Sequence, residues 1–335
     1  MDALLPREGG RAVPRQHSRA IAGVSRRAAL AALASAPFLS APVAARAAEP
    51  RIPDRTGYAN VPGGRVWWRR LGEGARPPLL LLHGGPGMGH DYLLPLSTLA
   101  TDRAVIFYDQ LGCGRSDAPA DLSLYTIGKF ADRLDAFRAA LSLDRVVLYG
   151  HSWGGFLAVE YLAARPRAGV EKLILSNTAA SAQQVNTGVM RLIQAMPEGA
   201  ELYGMERDGE TDGSDYRRLS RAFYARHFCR LAATPPEFDA SMKNAAASPA
   251  TRPMVGEGIT IGGNLRDWDR RAGLRAIAMP TLVVTGEFDE IAIDCHQTLR
   301  DGIAGARLEM MKGTSHMLMT EAPRAYNRLL AEFLA

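Results

Sequence analysis

The sequence predicts an α/β fold in which helices cover both faces of a mainly parallel, doubly wound sheet. Short apolar runs typical of buried strands recur along the chain, and helix-like stretches separate them. These runs occupy positions 79–82, 104–108, 146–149, 172–175, 281–285 and 308–311. From 182 to 269 the strand-like runs give way to apolar residues at helical spacing, which predicts a helical cap inserted into the sheet domain.

These patterns divide the chain into three parts. Residues 48–181 and 270–335 form the predicted core, residues 182–269 form the predicted cap, and residues 1–47 precede both. The core opens with runs at 58–61 and 65–69 that flank a Pro-Gly-Gly turn, a pattern typical of a β-hairpin. Within the cap, helical spacing relates Val189, Leu192, Ile193 and Met196, and again Leu219, Phe223 and His227.

The most informative local pattern is Gly-x-Ser-x-Gly at positions 150–154, centred on Ser152. It follows the strand-like run 146–149 and precedes a helix-like stretch at 156–164. A strand, a sharp turn and a helix around this motif are typical of a nucleophile elbow. Glycine two positions before and after the serine lets the backbone turn sharply without side-chain clashes. Ser152 is therefore the predicted nucleophile.

A serine hydroxyl becomes an effective nucleophile only when a base takes its proton and an acid orients that base. In serine hydrolases with such an elbow, the acid and then the histidine follow the serine along the chain. Asp289 and His316 lie in the loops after the last two strand-like runs, so they are the predicted acid and base. Asp294 and Glu287 are alternatives for the acid, although Asp294 is better suited to cap the helix that runs through Gln297 and Leu299.

Stabilisation of an oxyanion needs two backbone N–H donors near the nucleophile. Trp153 follows Ser152 directly and supplies the first candidate. The second is Gly85, in the glycine-rich loop that follows the buried run 79–82. A plain tight turn is the alternative for this loop, and the ordered serine, acid and histidine favour the oxyanion assignment.

Several longer motifs together resemble the proline iminopeptidase family of α/β-hydrolases, which includes prolyl aminopeptidases, tricorn-associated aminopeptidases and amino-acid amidases. They are HGGPG at 83–87, DQLGCGRS at 109–116, GHSWGG at 150–155, NLRDWD at 264–269 and GEFDE at 286–290. The resemblance covers most of the chain after about residue 56 and ends at His316. It implies an α/β-hydrolase fold with a helical cap.

The resemblance also implies cleavage of the amide bond after an N-terminal amino acid, with carboxylates that hold the free amine. Glu290 matches one such carboxylate of the tricorn-associated branch. The second belongs to a Gly-Pro-x-Glu-Phe run in the cap, where this chain has Val-Gly-Glu-Gly-Ile at 255–259 and Glu257 is one position out of register. Ordinary solvated acids are the alternative for both residues.

The expected activity is therefore that of a serine aminopeptidase or amino-acid amidase, with a small peptide or an amino-acid amide as substrate. An esterase or lactonase that needs no free amine is the alternative, motivated by the shifted Glu257. No cofactor or metal is expected, because no His-x-x-x-His pattern or clustered Cys/His spacing occurs. Cys113, Cys229 and Cys295 are too widely spaced for a disulfide framework, although one pair could still bridge.

The N-terminal segment resembles an export signal. Arg26 and Arg27 precede an alanine-rich apolar run that ends in the small-x-small sequence Ala45-Arg46-Ala47, which predicts a twin-arginine-type signal over residues 1–47. A basic N-terminal tail is the alternative. The segment holds seven arginines and two acids, and the remaining chain holds 33 basic and 33 acidic residues. The signal predicts export to the periplasm or secretion, and the charge balance of the remaining chain predicts no nucleic-acid partner and no stable membrane association.

Overall fold

The computed structural model describes residues 53–166 and 169–335. Within them the chain forms an eight-stranded sheet. The strands are β1 (Asp54–Val61), β2 (Gly64–Leu71), β3 (Leu79–Leu82), β4 (Val105–Tyr108), β5 (Val146–His151), β6 (Val170–Ser176), β7 (Thr281–Gly286) and β8 (Arg307–Met311). Their order across the sheet is β1-β2-β4-β3-β5-β6-β7-β8. The predicted signal segment at 1–47 lies outside the described residues.

The sheet is antiparallel only at its first edge. Strands β1 and β2 form the predicted hairpin, and β2 pairs antiparallel with β4. Every other neighbouring pair, from β4–β3 to β7–β8, is parallel. The predicted α/β class with a mainly parallel sheet is confirmed. The predicted strand positions are right, and the structure extends several of them, β5 by two residues and β6 by three.

Both faces of the central strands are buried, which explains their continuous apolar runs. Alternate side chains enter two separate cores. Leu80 and Leu148 face one core, and Leu79 and Val147 face the other. Helices packed on each face cover these two layers.

The helices are α1 (Ile127–Ala140), α2 (Trp153–Ala164), α3 (Ala182–Gln194), α4 (Gly199–Asp208), α5 (Ser214–His227), α6 (Pro236–Ala247), α7 (Thr251–Val255), α8 (Ile293–Gly302), α9 (Leu318–Glu321) and α10 (Pro323–Leu334). Side chains of α1, α2 and α8 join the first core, and side chains of α10 join the second. Helices α3 to α7 lie in the chain between β6 and β7, within the predicted cap region.

The two ends of this insertion are tied together by backbone hydrogen bonds. Ser181 and Asp269 form an isolated antiparallel bridge. The Ala182 N–H donates to the Trp268 carbonyl at 2.9 Å, and the Arg270 N–H donates to the Ala180 carbonyl at 2.7 Å. The chain therefore leaves the core and returns to it at one point beside the carboxyl ends of the parallel strands, where open α/β sheets bind ligands.

Candidate active site

Ser152 occupies a sharp turn between β5 and α2. Its backbone has φ 55° and ψ −123°, which is a strained conformation for a residue with a side chain. Its N–H donates to the Ser176 carbonyl at 3.0 Å, and its own carbonyl accepts from Gly155 N–H and Thr178 Oγ1, each at 2.8 Å. These bonds hold the strained turn and leave the Ser152 side chain half-buried at the surface of a cavity.

The glycines of the elbow are required by contact with neighbouring backbone. A Cβ on Gly154 would lie 2.0 Å from the Leu82 carbonyl oxygen, and a Cβ on Gly150 would lie 2.5 Å from the Gly154 carbonyl oxygen. Neither approach is possible between non-bonded atoms. The sequence motif therefore reflects close packing of the elbow against the end of β3.

Asp289 and His316 meet at the carboxyl ends of β7 and β8. Nδ1 of His316 donates to Oδ1 of Asp289 at 2.7 Å, and Oδ1 also accepts from the Ile291 N–H at 3.0 Å. Both side chains are almost fully buried. Burial alone would raise the pKa of Asp289, but the neighbouring His316 and His296 lower it below its usual range. Asp289 is therefore ionised, as an orienting acid must be.

The pKa of His316 is shifted upward. Burial opposes its protonated form, while the negative charges of Glu290 and Asp289 favour that form and outweigh burial. Phe228, the residue that follows α5, stacks on the imidazole with ring centroids 5.3 Å apart and fixes its plane. Within the described residues, Ser152 and His316 form no hydrogen bond with each other. Such contacts between nucleophile and base often tighten only when substrate binds.

His151 is a buried residue to which the sequence analysis gave no role. It connects the loop that holds Gly84, the elbow that holds Ser152 and the loop that holds His316. Nδ1 of His151 accepts from the Tyr92 hydroxyl at 2.9 Å, and this hydroxyl accepts from the Gly84 N–H at 2.6 Å. This arrangement places the His151 proton on Nε2, which donates to the His316 carbonyl at 3.0 Å. Burial and the nearby His316 lower the pKa of His151 to about 3, so it stays neutral.

The two predicted oxyanion donors line the same cavity as Ser152. Trp153 is the first residue of α2, so its N–H has no partner within the helix. Gly85 lies in the loop after β3 with φ 116°. Within the described part of the chain, neither N–H is paired with an acceptor. Both groups are available to a ligand at this wall of the cavity.

The cavity has a volume of about 500 Å³ and lies between the cap helices and the sheet. Most of its wall is apolar, with side chains from α3, α5, the residue after α5, and α6 that include Val185, Val189, Tyr224, Phe228, Phe238 and Met242. Among the described residues that line it, Glu290 is the only carboxylate. A cavity of this size and composition is typical of a small-molecule site with few polar anchors.

Glu290 lies beside the predicted base. Its Oε1 is 3.6 Å from Nε2 of His316, the ring nitrogen that faces away from Asp289. Burial raises the pKa of Glu290 to about 7, with His316 opposing this shift and Asp289 adding to it. A carboxylate held in an apolar cavity at such a pKa is suited to pairing with a cation that enters with a ligand.

A family model described as an alpha/beta hydrolase fold matches residues 77–323. The chain is 34% identical over 284 residues to the proline iminopeptidase of Saccharolobus solfataricus, which covers 83% of this chain and 91% of the relative. It is 35% identical over 286 residues to the proline iminopeptidase of Thermoplasma volcanium, with coverage of 83% and 96%. A crystal structure of Mycobacterium smegmatis proline iminopeptidase matches with a TM-score of 0.77 at 33% identity, covering 84% of this chain and 97% of that one.

The chain belongs to the proline iminopeptidase family of α/β-hydrolases. It is an enzyme of the hydrolase class. The resemblance found in the motifs thus extends to the three-dimensional structure, over 84% of the chain. Members of this family provide the expected roles of individual residues, and the structure shows where each of those residues lies in this chain.

The structure does not bring Glu257, the second amine-binding carboxylate expected from this family, into the cavity. Its Oε1 lies 2.8 Å from Nε of Arg252, and 43% of its side chain is exposed. The next residues along the chain do line the cavity, namely Gly258, Ile259 and Thr260. The register shift noted in the sequence therefore turns Glu257 outward.

A different cap carboxylate anchors this loop from behind. Glu206 on α4 is buried, and its oxygens accept from Ile259 N–H at 2.7 Å and from Thr260 N–H at 3.2 Å. The Thr260 and Tyr216 hydroxyls also donate to it. Glu206 does not line the cavity itself, so it fixes the loop that does.

The last residue of α5 joins the cap to both loops that carry the acid and the base. The carbonyl of His227 accepts from the Glu290 N–H at 3.0 Å and from the His316 N–H at 3.1 Å. Its ring Nδ1 bonds the Phe288 carbonyl at 2.9 Å. The positions of Asp289, Glu290 and His316 therefore depend on where α5 ends.

Other sequence expectations are resolved as follows. Asp294 lies in the first turn of α8 and pairs with Arg191, whereas the N-cap is Ala292, so the expected cap assignment is wrong.

The three cysteines are free thiols. In residues 53–166 and 169–335 there is no cluster of three or more His, Cys, Asp or Glu side chains that could hold a metal ion. The helices in these ranges include none with the length and hydropathy needed to cross a membrane.

Proposed function

We propose that this enzyme is a serine aminopeptidase or amino-acid amidase that cleaves the amide bond after an N-terminal amino acid through an acyl-enzyme. The observation that carries the proposal is the position of Glu290, a half-buried carboxylate that lines the same cavity as Ser152, 3.6 Å from the His316 imidazole. The proline iminopeptidases to which the chain is similar support the same reaction class.

In the acylation step, Oγ of Ser152 attacks the scissile carbonyl carbon while Nε2 of His316 takes the hydroxyl proton. Asp289 accepts the Nδ1–H of His316, which keeps the imidazole in the correct tautomer and stabilises the imidazolium. The N–H groups of Gly85 and Trp153 donate to the developing oxyanion. Loss of one such donor typically costs 10²- to 10³-fold in rate.

The tetrahedral intermediate collapses when the C–N bond breaks and Nε2 of His316 gives its proton to the departing amine. Water then attacks the acyl-enzyme ester, with His316 again acting as the base. This second attack releases the free amino acid and restores the Ser152 hydroxyl.

Recognition of the free N-terminus follows from burial. An ammonium that enters a mostly apolar cavity is costly to bind unless a carboxylate pairs with it. Glu290 supplies that carboxylate, and its proximity to His316 supports this role, because the α-amine of the first residue is separated from the scissile carbonyl carbon by only two bonds. Glu290 therefore selects substrates whose first residue has a free amine.

An esterase or lactonase with no amine requirement is the second candidate, and a specific observation favours it. Glu257 lies outside the cavity, so Glu290 acts without the second carboxylate implied by the family resemblance. The remaining wall is mostly apolar and suits a neutral acyl group. The same Ser152, His316 and Asp289 would then hydrolyse an ester.

Hydrolysis by the purified full chain decides between these candidates. The substrates are prolyl, alanyl and N-acetyl-alanyl p-nitroanilides together with p-nitrophenyl acetate. We expect cleavage of the free-amine anilides, loss of activity on acetylation, and a loss of about 100-fold in Glu290→Gln for the free-amine substrates, with a much smaller change for the ester. Ester cleavage without anilide cleavage would support the second candidate. Ser152→Ala is the inactive control, and full activity in that variant would refute both.

We also propose that residues 1–47 direct export of the enzyme to the periplasm or the medium. The paired Arg26 and Arg27 before an apolar run support this location. Cell fractionation of the native chain and of an Arg26→Lys, Arg27→Lys variant tests it. Enzyme that stays in the cytoplasm in both cases would refute export.

A further inference from the structure

His296 on α8 lies directly behind the acid of the site. Its ring is fully buried, and its Nε2 is 3.3 Å from Oδ2 of Asp289. The approach lies on the opposite carboxylate oxygen from the one that binds His316. Asp289 is thus placed between two imidazoles.

The remaining partners of Asp289 leave Oδ2 with little else to hold it. Oδ1 accepts from His316 and from the Ile291 N–H. Oδ2 lies 3.2 Å from the Thr285 hydroxyl, but that hydroxyl lies equally close to the Gly286 carbonyl and has a single proton to share. A second donor on the Oδ2 side would restrain the carboxylate further against rotation.

Among the described residues, no other contact accounts for the two polar ring atoms of His296. Within the described residues neither ring nitrogen of His296 has a hydrogen-bond partner, and Oδ2 of Asp289, 3.3 Å from Nε2, is the one carboxylate oxygen in ion-pair range of the ring. A fully buried imidazole without a hydrogen-bond partner is unfavourable, because its polar atoms lose the bonds that water would make. A leucine would fill the same space without that cost, so the contact with Asp289 explains why a histidine stands there.

We propose that His296 is a positioning residue that donates from Nε2 to Oδ2 of Asp289 and so keeps Oδ1 aimed at His316. The proposal rests on the serine-hydrolase mechanism proposed above, although not on its free-amine specificity. It also assigns His296 an electrostatic effect, because a donor on Oδ2 withdraws part of the negative charge that stabilises the His316 imidazolium.

Other charged and titratable groups face this cluster and stay unchanged in the test. Glu290 and His151 lie against the His316 ring, and Glu321 accepts from the N–H and hydroxyl of Ser315 beside it. On the far side, Asp294 and Cys295 neighbour His296 on α8, and Arg191 on α3 pairs with Asp294. Other charged or titratable side chains lie near the loop that carries Asp289 or near Cys295, namely His227, Arg226, Arg230 and Arg271.

The test compares three variants of the full chain. His296→Leu keeps the volume and removes the donor, His296→Gln places an amide N–H near the position of Nε2, and Leu299→Val trims a buried neighbour on the same helix. Each is assayed for kcat, KM and the pH profile with p-nitrophenyl acetate. The rate of Ser152 labelling by a fluorophosphonate and the low-field proton resonance of His316 Nδ1–H are also measured.

We expect His296→Leu to lower kcat about 10- to 100-fold with little change in KM, because a small misorientation of the base has effects of that size. The acidic limb of its profile should move to higher pH, since Asp289 then stabilises the imidazolium more strongly. His296→Gln should restore most of the rate, and Leu299→Val should leave the limb in place. The Nδ1–H resonance should shift in the leucine variant alone.

Equal losses in His296→Leu and Leu299→Val, with an unmoved acidic limb and no rescue by glutamine, would overturn the proposal. If His296→Leu does not fold, His296→Asn replaces it, because its shorter amide does not reach Oδ2; equal activity of the asparagine and glutamine variants would then overturn it. Ester turnover and labelling report on His296 even if free-amine anilides are not cleaved, which would instead refute the aminopeptidase assignment.

Discussion

Oε1 of Glu290 lies 3.6 Å from Nε2 of His316, so the carboxylate that faces the cavity neighbours the nitrogen that must take the proton of Ser152. Each of these two groups shifts the pKa of the other. The negative charge of Glu290 helps to raise the pKa of His316, and burial raises the pKa of Glu290 to about 7. A substrate ammonium bound at Glu290 would therefore lie close to the reacting carbonyl and would also change the charge next to the base.

This relationship predicts a bell-shaped pH profile for substrates with a free amine. Below about 7 Glu290 is protonated and loses its attraction for an ammonium, and above about 8 the N-terminal amine of the substrate loses its charge. We expect kcat/KM for alanyl p-nitroanilide to be highest between these limits. The measurement is a pH series on the full chain.

The matched control is p-nitrophenyl acetate, with the rate of Ser152→Ala subtracted at each pH. This ester carries no amine, so its profile should rise as His316 loses its proton and then level off. Identical profiles for the two substrates would mean that Glu290 does not bind the amine.

Glu290 also predicts how stability varies with pH. The pKa of this carboxyl is about 7 in the folded protein, against an ordinary value of 4.5. Between those values the folded protein holds a proton that the unfolded chain has released, so the free energy of unfolding decreases as pH rises through this range. The full difference is on the order of 3 kcal/mol.

Glu290→Gln should remove that loss. We expect the variant to unfold at a higher urea concentration than the native chain at pH 8 and at a similar concentration at pH 4.5. Glu257→Gln is the matched control, because its side chain is largely exposed. An equal gain at both pH values would show that ionisation of Glu290 is not the cause.

The residues that could be predicted from the sequence are those whose position follows from the sheet. Ser152 sits in a motif only five residues long, and the close contacts of Gly150 and Gly154 explain why that motif is so specific. Asp289 and His316 follow consecutive parallel strands, whose carboxyl ends meet at one edge of the sheet. Their order in the chain and their positions after strand ends were therefore enough to predict that Asp289 and His316 lie close together.

The residues that could not be predicted depend on contacts without a fixed sequence spacing. His151 and His296 act through buried neighbours, and nothing in their local sequence separates them from packing residues. The cap is harder still, because its helices pack by shape and not by a hydrogen-bonded register. A one-residue shift in the loop was enough to turn Glu257 toward Arg252 and to leave the anchoring of that loop to Glu206.

The close packing of the elbow predicts a large effect for Gly154→Ala. Its new methyl group would lie 2.0 Å from the Leu82 carbonyl oxygen, so either β3 or α2 must move. We expect destabilisation on the order of 3 kcal/mol and loss of fluorophosphonate labelling at Ser152. Urea unfolding and labelling of the purified variant provide the measurement.

Gly204→Ala is the matched control for this substitution. Gly204 lies inside α4, and a Cβ there would meet no atom within 4 Å. That change should stabilise the chain by about 0.5–1 kcal/mol, because alanine favours a helix interior. A tolerated Gly154→Ala with normal labelling would show that the elbow can relax around the methyl group.

Glu206 is buried and Glu257 is exposed, and this difference predicts which of the two cap carboxylates supports substrate binding. In Glu206→Gln the amide NH₂ faces a backbone N–H and a hydroxyl that both need an acceptor, so the loop at 258–260 loses part of its support. We expect a destabilisation of about 2 kcal/mol and a several-fold increase in KM with a small change in kcat, because this loop lines the cavity but does not touch Ser152. Glu257→Gln should change KM by less than about twofold, since it removes only an exposed ion pair with Arg252. A large rise in KM for free-amine substrates in Glu257→Gln, with ester turnover unchanged, would mean that the loop turns inward on binding and brings the second carboxylate to the amine.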